Sequence, residues 1–445
     1  GTGAALSKSE YDDFWGSTWQ LAALRRAAHS RGASAWSTLA AVLMRVAAAT
    51  PHTYKLPDVI GDYASLNPFA VVPGYSGDGK GLPMQVARRF IDVGPVDTEI
   101  PKTGEGLAEG YVHWIDVPEH PQGGEFVFYR RSVMWHITEV DNLGAAQNAK
   151  ASTIMPYLRQ MWMGEEIGGK TATRHLARKV AEHQYRATLL VNAQPGNCGP
   201  LLNPQETRGG TPQRFLWMPA KDHYKPKARS RPAKPPGIRW ELPAWADGVP
   251  GELSSVMFPP LALPSGEFII GVCDAYTDAV LDADDRKETR VGGSMDGHAL
   301  LNRGKWAALL ALYHGCIGIT DFFWDPSGMV MRVSDHTRLA MVAAERQEAA
   351  KESRDRAETR AEGQIRVVEI LGADEVRKAK ASVLAQLATV RRRGGVDAAL
   401  SRGALRTFMR REYREAVDPA LSELIGENAV EQVGDDVDAA RYRLR

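Results

Sequence analysis

The stretch Gly74-Tyr75-Ser76-Gly77-Asp78-Gly79-Lys80-Gly81 has the residue types and spacing of an anion cradle. Small residues let successive backbone N–H groups curl round a phosphate, and a helix beginning just beyond them turns its positive end toward the charge. Lys80 stands where an ammonium group reaches the outer phosphates of a nucleotide. The apolar run Phe69-Ala70-Val71-Val72 precedes the loop and a helix-forming stretch at 82–91 follows it, so the pattern predicts strand, phosphate loop and helix. One position departs from the usual order. The residue after Lys80 is ordinarily Ser or Thr, whose hydroxyl ligates magnesium; here it is Gly81, so the metal needs water or another ligand. ATP with Mg2+ is the expected cofactor pair, with Gly74, Ser76, Gly77, Asp78, Gly79, Lys80 and Gly81 around the phosphates.

Hydrolysis needs a carboxylate beyond the last phosphate. The apolar run 132–137 ends in Thr138-Glu139-Val140-Asp141. One carboxylate here would position magnesium and another polarise the attacking water: Thr138 occupies the position of the usual metal-bearing Asp, Glu139 matches the catalytic acid, and Asp141 is a further catalytic candidate two residues on. Taken alone, acids at a strand end are mostly solvated turn residues; their order after the phosphate loop favours catalysis. A further strand, 188–191, ends in Asn192-Ala193-Gln194. Either amide can sense the γ-phosphate, or simply cap a turn. Arg214 leads into Phe215-Leu216-Trp217 and reads as a structural ion-pair former or as a group reaching a neighbour's nucleotide, as in ring ATPases. Arg303 is a candidate second sensor. No metal-ligating cluster is visible.

The elements that must position these groups follow from periodicity. Residues 10–50 carry apolar positions at helical spacing and read as a helical collar, 1–62. The nucleotide core follows at 63–225. Within it Lys170, Arg174, Arg178 and Lys179 precede strand 188–191, where a basic hairpin would grip DNA phosphates. Residues 219–237 hold five prolines and many Lys and Arg and read as a linker or exposed basic loop. Stretches 265–281 and 298–313 read as a helical lid within a linker-and-lid region, 226–338. A charged spacer helix, 339–374, precedes three helices and a hairpin at 375–445, the pattern of a winged helix, which binds DNA or a protein; Arg402 and Arg406 on its basic face favour DNA.

Bulk properties set limits. A chain of 445 residues holds about two to four domains by length. Its net charge of +1 forecasts no polyanionic partner, so any nucleic-acid surface must be a local patch. Three scattered cysteines suggest a reducing cytoplasm. The most apolar stretch, 306–319, is too short to span a bilayer. The chain begins with Gly, which suggests a trimmed piece of a longer protein.

Several stretches occur together in a familiar order: Phe14-Trp15, 56–61, Ser65-Leu66-Asn67, the glycine loop, Glu139-Val140-Asp141, 158–165, Gln194-Pro195-Gly196 and 209–217. Over roughly residues 10–320 this set resembles the helicase-like P-loop ATPase half of actinobacterial primase–polymerase/helicase proteins of phages, prophages and integrative elements. It is more distantly similar to the minichromosome maintenance helicases. Their Asp-Glu-Phe-Asp motif resembles Thr138-Glu139-Val140-Asp141, their sensor Asn-Pro resembles Gln194-Pro195, and their Ser-Arg-Phe finger resembles Gln213-Arg214-Phe215. The resemblance implies Lys80 on phosphate, Glu139 as water activator, Gln194 as sensor and Arg214 acting in trans.

The expected fold is α/β: an AAA+-like P-loop NTPase core with a helical N-terminal collar and a C-terminal winged helix. The expected function is an ATP-driven DNA helicase or translocase in phage or mobile-element replication, cytoplasmic, away from membranes. It would act as a ring homo-oligomer, a hexamer, on single-stranded or forked DNA, with a primase or polymerase partner. The alternative is a nucleotide-gated DNA-binding protein with little turnover, such as an origin binder, loader or regulator. A third reading is an interaction protein with a vestigial loop.

Overall fold

The structure is a computed structural model of the chain. It describes residues 4–120, 123–148, 152–169, 178–242, 260–288, 298–434 and 440–445, with backbone alone at 357 and 360–371. The chain divides into two compact units, Gly1–Ala349 and Ala350–Arg445. The expected boundaries near 62, 225 and 338 therefore do not separate compact bodies.

The first unit is built on five strands: β1 (Phe69–Pro73), β2 (Thr98–Glu99), β3 (Ser132–Ile137), β4 (Arg186–Ala193) and β5 (Phe215–Trp217). They form one sheet in the order β5-β1-β4-β3-β2, with every neighbouring pair parallel. Side chains alternate across a strand, so each strand feeds two cores. Ala70, Val72, Met134, Leu190 and Leu216 join one apolar cluster, and Phe69, Val71, Val133, Trp135, Leu189, Val191, Phe215 and Trp217 join the other. A parallel sheet buried on both faces needs such continuous apolar runs, because polar alternation would strand hydroxyls and amides away from water.

Helices cover both faces. On one side lie Lys8–Gly16, Trp19–Ser30, Ala35–Ala49, Leu82–Phe90 and Ala299–Tyr313. Their starts are set by local chemistry: Ser7 and Glu10 form a capping box, and the hydroxyls of Thr18 and Ser34 accept from the backbone three residues on. Helix Ala35–Ala49 is apolar nearly all round because it is buried all round, against β3, β4 and three other helices. The N-terminal helices thus share the sheet's core; they are not a separate collar. Helix Ala299–Tyr313 is likewise core, with Asn302 and 304–313 buried, where a lid was expected.

The other face carries Gly104–Glu109, Val140–Asn148 and Ile154–Met163. Gly124–Phe128 pairs with Val112–Asp116 in a hairpin outside the central sheet. Among the described residues no single helix is long and apolar enough to cross a membrane.

A single helix, Asp321–Gly394, replaces the separate spacer and following helix expected from the sequence. In the second unit its residues Ala379, Val383 and Leu387, four apart on one face, bury against Leu405, Val417, Leu421 and Leu424. Helix Arg402–Thr407, whose N-cap Ser401 accepts from Ala404 N–H, and helix Val417–Gly426 complete three helices. Strands Val430–Val433 and Arg441–Leu444 pair antiparallel, and Leu400–Ser401 adds a third, shorter strand.

Candidate functional site

The glycine loop leaves the carboxyl end of β1. Its first amide, Gly74 N–H, donates to the carbonyl of Ala193 at the end of β4 (3.0 Å). A side chain at Gly74 would strike the Ala220 methyl, so backbone approach there requires glycine. Gly77 and Gly79 have φ of +90° and +80°, the left-handed region that lets consecutive amides face one centre. Asp78 holds the loop from inside: its carboxylate accepts from Tyr75 N–H (2.8 Å). Lys80 lies over the loop with its Nζ 3.5 Å from the Tyr75 carbonyl. Gly81 is the N-cap of helix Leu82–Phe90 and offers no side-chain cap; Pro83 helps start the helix. Ser76 is exposed on the loop.

Register brings the sensor and acid candidates to the same edge. Pro73 pairs with Ala193, and Val191 with Ile137, so Gln194 follows in the row of Gly74, while Thr138 falls level with Asn192, two residues earlier along the strands. Two strand spacings, about 10 Å, separate β1 from β3. Asn192 is buried on β4, and its Oδ1 has no hydrogen-bond partner among the described residues. Gln194 is half-buried in the turn that follows. Glu139 and Asp141 are exposed, and they belong to the start of helix Val140–Asn148 rather than to the strand itself. The loop amides and Lys80 fit a polyphosphate. Magnesium is less well provided for: with Gly81 and Thr138 in the usual ligand positions, Glu139 and Asp141 would act through water. No group of three metal-ligating side chains occurs among the described residues.

Beside the loop lies a cavity of about 480 Å3, in the size range of small-ligand sites. Gly74, Tyr75 and Asp78 form one wall, Tyr11 and Tyr224 another, and His336 on the long helix a third. The long helix, not the expected lid, therefore closes this side. Asp222 organises the back wall. Its Oδ2 accepts from Tyr11 Oη (3.1 Å) and Ala35 N (3.0 Å) and lies 3.0 Å from His29 Nε2, and its Oδ1 accepts from Tyr224 N (3.0 Å). These bonds hold the Asp222 carboxyl below its ordinary value despite burial. On the long helix, Glu345 accepts from the amide of Cys198 and is held by those of Gly196 and Gly199, in the turn after β4. Burial raises the Glu345 carboxyl, and it pushes the Cys198 thiol up to about 12. Nothing local in the sequence marks Asp222 or Glu345; Glu345 sits in a charged run that reads as solvated.

Among the described residues, the structure gives the expected arginines and lysines partners within the chain. Arg214 turns inward: it is buried, donates to the Gly209 carbonyl (2.8 Å) and lies 5.6 Å from the Trp162 ring centre. Burial lowers its guanidinium to about 10. A residue so packed cannot extend to a neighbour's nucleotide without leaving its own core. Arg303 stacks on Trp324 (3.7 Å), donates to Ser327 Oγ, and lines a different cavity, of about 890 Å3, which shares no residue with the glycine loop. It is no sensor of that loop. Among the proposed DNA contacts, Arg178 pairs with Glu109 (2.8 Å) and Lys179 with Glu166 (2.7 Å), and Arg402 and Arg406 both pair with Asp418. Lys170 and Arg174 lie outside the described residues.

Comparison with protein-family models and with curated proteins returns no match.

Proposed function

We propose that the chain is a P-loop nucleoside triphosphatase of AAA+ type acting on DNA, an ATP-driven translocase or helicase of a phage or mobile-element replication system. The observation that carries this reading is the bond from Gly74 to Ala193, which brings the glycine loop, Asn192 and Gln194 to one sheet edge with Glu139 a strand beyond. Ligands of open parallel sheets bind outside the carboxyl ends of the strands, and this edge carries every expected catalytic group except Arg214 and Arg303.

In this reading the loop amides and Lys80 hold the β- and γ-phosphates. Glu139 orients the attacking water, and Asn192 or Gln194 responds to the γ-phosphate. Bound magnesium would supply charge neutralisation between the phosphates. The second unit, with three helices and a three-stranded antiparallel sheet, fits a winged helix. A hexameric ring and a primase or polymerase partner remain part of the proposal through the resemblance alone.

A second reading, a nucleotide-gated DNA binder with little turnover, is favoured by Gly81 and Thr138, which leave magnesium without its usual ligands. Steady-state ATP hydrolysis with and without single-stranded DNA, in wild type and Glu139→Gln, separates the two. DNA-stimulated turnover lost in the variant supports the motor. Tight ATP binding without turnover in either protein supports the binder.

A further inference from the structure

The proline-rich stretch after β5 is fixed to the first unit rather than being a loose linker. Tyr224 Oη donates to the Leu6 carbonyl (2.9 Å), and Lys225 Nζ donates to the Gly32 carbonyl (2.8 Å). The Arg231 guanidinium lies against Gly32, where even a methyl group would come within 2.7 Å of it. At the far end, Ile238 and Arg239 pair with Ile91 and Asp92 at the close of the glycine-loop helix, and Trp240 N–H donates to the Asp92 carbonyl (2.8 Å). Five prolines at 219–237 limit the backbone between these anchors and remove donors that would otherwise pair in a sheet.

Residues 221–239 thus form a strap with seven cations and one acid. The acid, Asp222, is buried and fully engaged by neighbouring donors. Arg239 is paired with Glu241 and Lys225 is tied to Gly32. Lys227, Arg229 and Lys234 are exposed, and none of their side chains makes an ion pair or hydrogen bond among the described residues. Next to the strap's end, Arg88 and Arg89 are exposed on the last turn of the glycine-loop helix.

We propose that this strap is a binding surface for the phosphate backbone of a nucleic acid. Three free cations on a stiffened chain suit a polyanion of regular charge spacing, and the anchored backbone loses little conformational entropy on binding. The exposed part of the strap offers no buried aromatic or aliphatic anchor of the kind that dominates protein–protein contacts. Nothing on it reads bases, so binding is independent of sequence. The inference takes DNA as partner from the proposed function but does not need ATP turnover.

The test is fluorescence anisotropy of labelled oligo-dT with the full chain, without nucleotide, over a salt series. K227A/R229A/K234A is compared with wild type and with the charge-keeping K227R/K234R. Loss of three phosphate contacts should lower the log–log salt slope by about 2 and weaken binding at every salt, while K227R/K234R binds as wild type. Oligo-rU and duplex DNA in parallel identify which nucleic acid is held. An unchanged slope in the triple alanine variant, no binding by wild type, or equal competition by polyglutamate at matched charge overturns the inference. Because ATP hydrolysis is measured separately, a protein that binds through the strap but never turns over would sink the motor and leave the strap standing.

Discussion

Gly74 and Ala193 are joined main chain to main chain, at 3.0 Å, across the end of the central sheet. The first residue of the glycine loop is thus tied to the last of β4, next to Gln194. The turn 196–199 that follows is tied in its turn to Glu345 on the long helix.

Asp78 places a negative charge inside the loop that is proposed to hold phosphates. Asn at this position keeps an acceptor for Tyr75 N–H and removes the charge. Asp78→Asn should tighten nucleotide binding several-fold, from repulsion of about 1 kcal/mol at a solvent-accessible site. Titration with a fluorescent ATP analogue checks this; weaker binding would mean that the charge itself shapes the loop.

Gly81 has no heavy atom within 4 Å of where a Cβ would stand, and its φ of −80° suits any residue. Gly81→Ser should fold normally and gain a few tenths of a kcal/mol as a better N-cap. Its hydroxyl should also increase magnesium-dependent phosphate release. A stable variant with no change in magnesium dependence would argue against a metal at this end of the loop.

Arg214→Ala should behave as a core mutation. It removes the bond to Gly209 and the contact with Trp162, and about 1–3 kcal/mol of stability is expected to be lost, seen as a lower Tm. A variant with wild-type Tm but no turnover in the assembled state would restore a role for Arg214 in trans.

Lys305 is fully buried and meets only neutral groups: the carbonyls of Asn67 and Trp162, and the Trp162 ring 3.7 Å away. Burial pulls its ammonium well below the ordinary lysine value, with Arg186 and Arg214 adding to the effect. The unfolded chain then binds the proton more tightly than the folded one. Stability should rise with pH through the window between the lowered folded value and the unfolded value, about 10.4. Lys305→Met should flatten that rise, read from urea midpoints at neutral and alkaline pH.

Much of the sheet was legible because its strands are short continuous apolar runs: Phe69-Ala70-Val71-Val72 already describes a strand buried on both faces. The loop itself was legible because closely spaced glycines suit the left-handed turns found at Gly77 and Gly79. Burial of whole helices was not. Ala35–Ala49 and Ala299–Tyr313 are apolar helix-forming stretches, but the partners that surround them lie far away in the sequence. Arg214 and Glu345 mislead for a related reason: a charged residue carries no local mark of whether its partner is water or a backbone group elsewhere in the fold. The Cys198 amide that Glu345 meets lies 147 residues away.

The carboxylate of Asp222 has a consequence for how the chain is made. Its partners Tyr11, His29 and Ala35 lie 211, 193 and 187 residues earlier. At translation speeds of 5–20 residues per second, those helices emerge roughly 10 to 40 s before the acid that joins them. For most of that interval the apolar side of Ala35–Ala49 has no β4 to cover it. The bonds from Tyr11, His29 and Ala35 close only once Asp222 has been made.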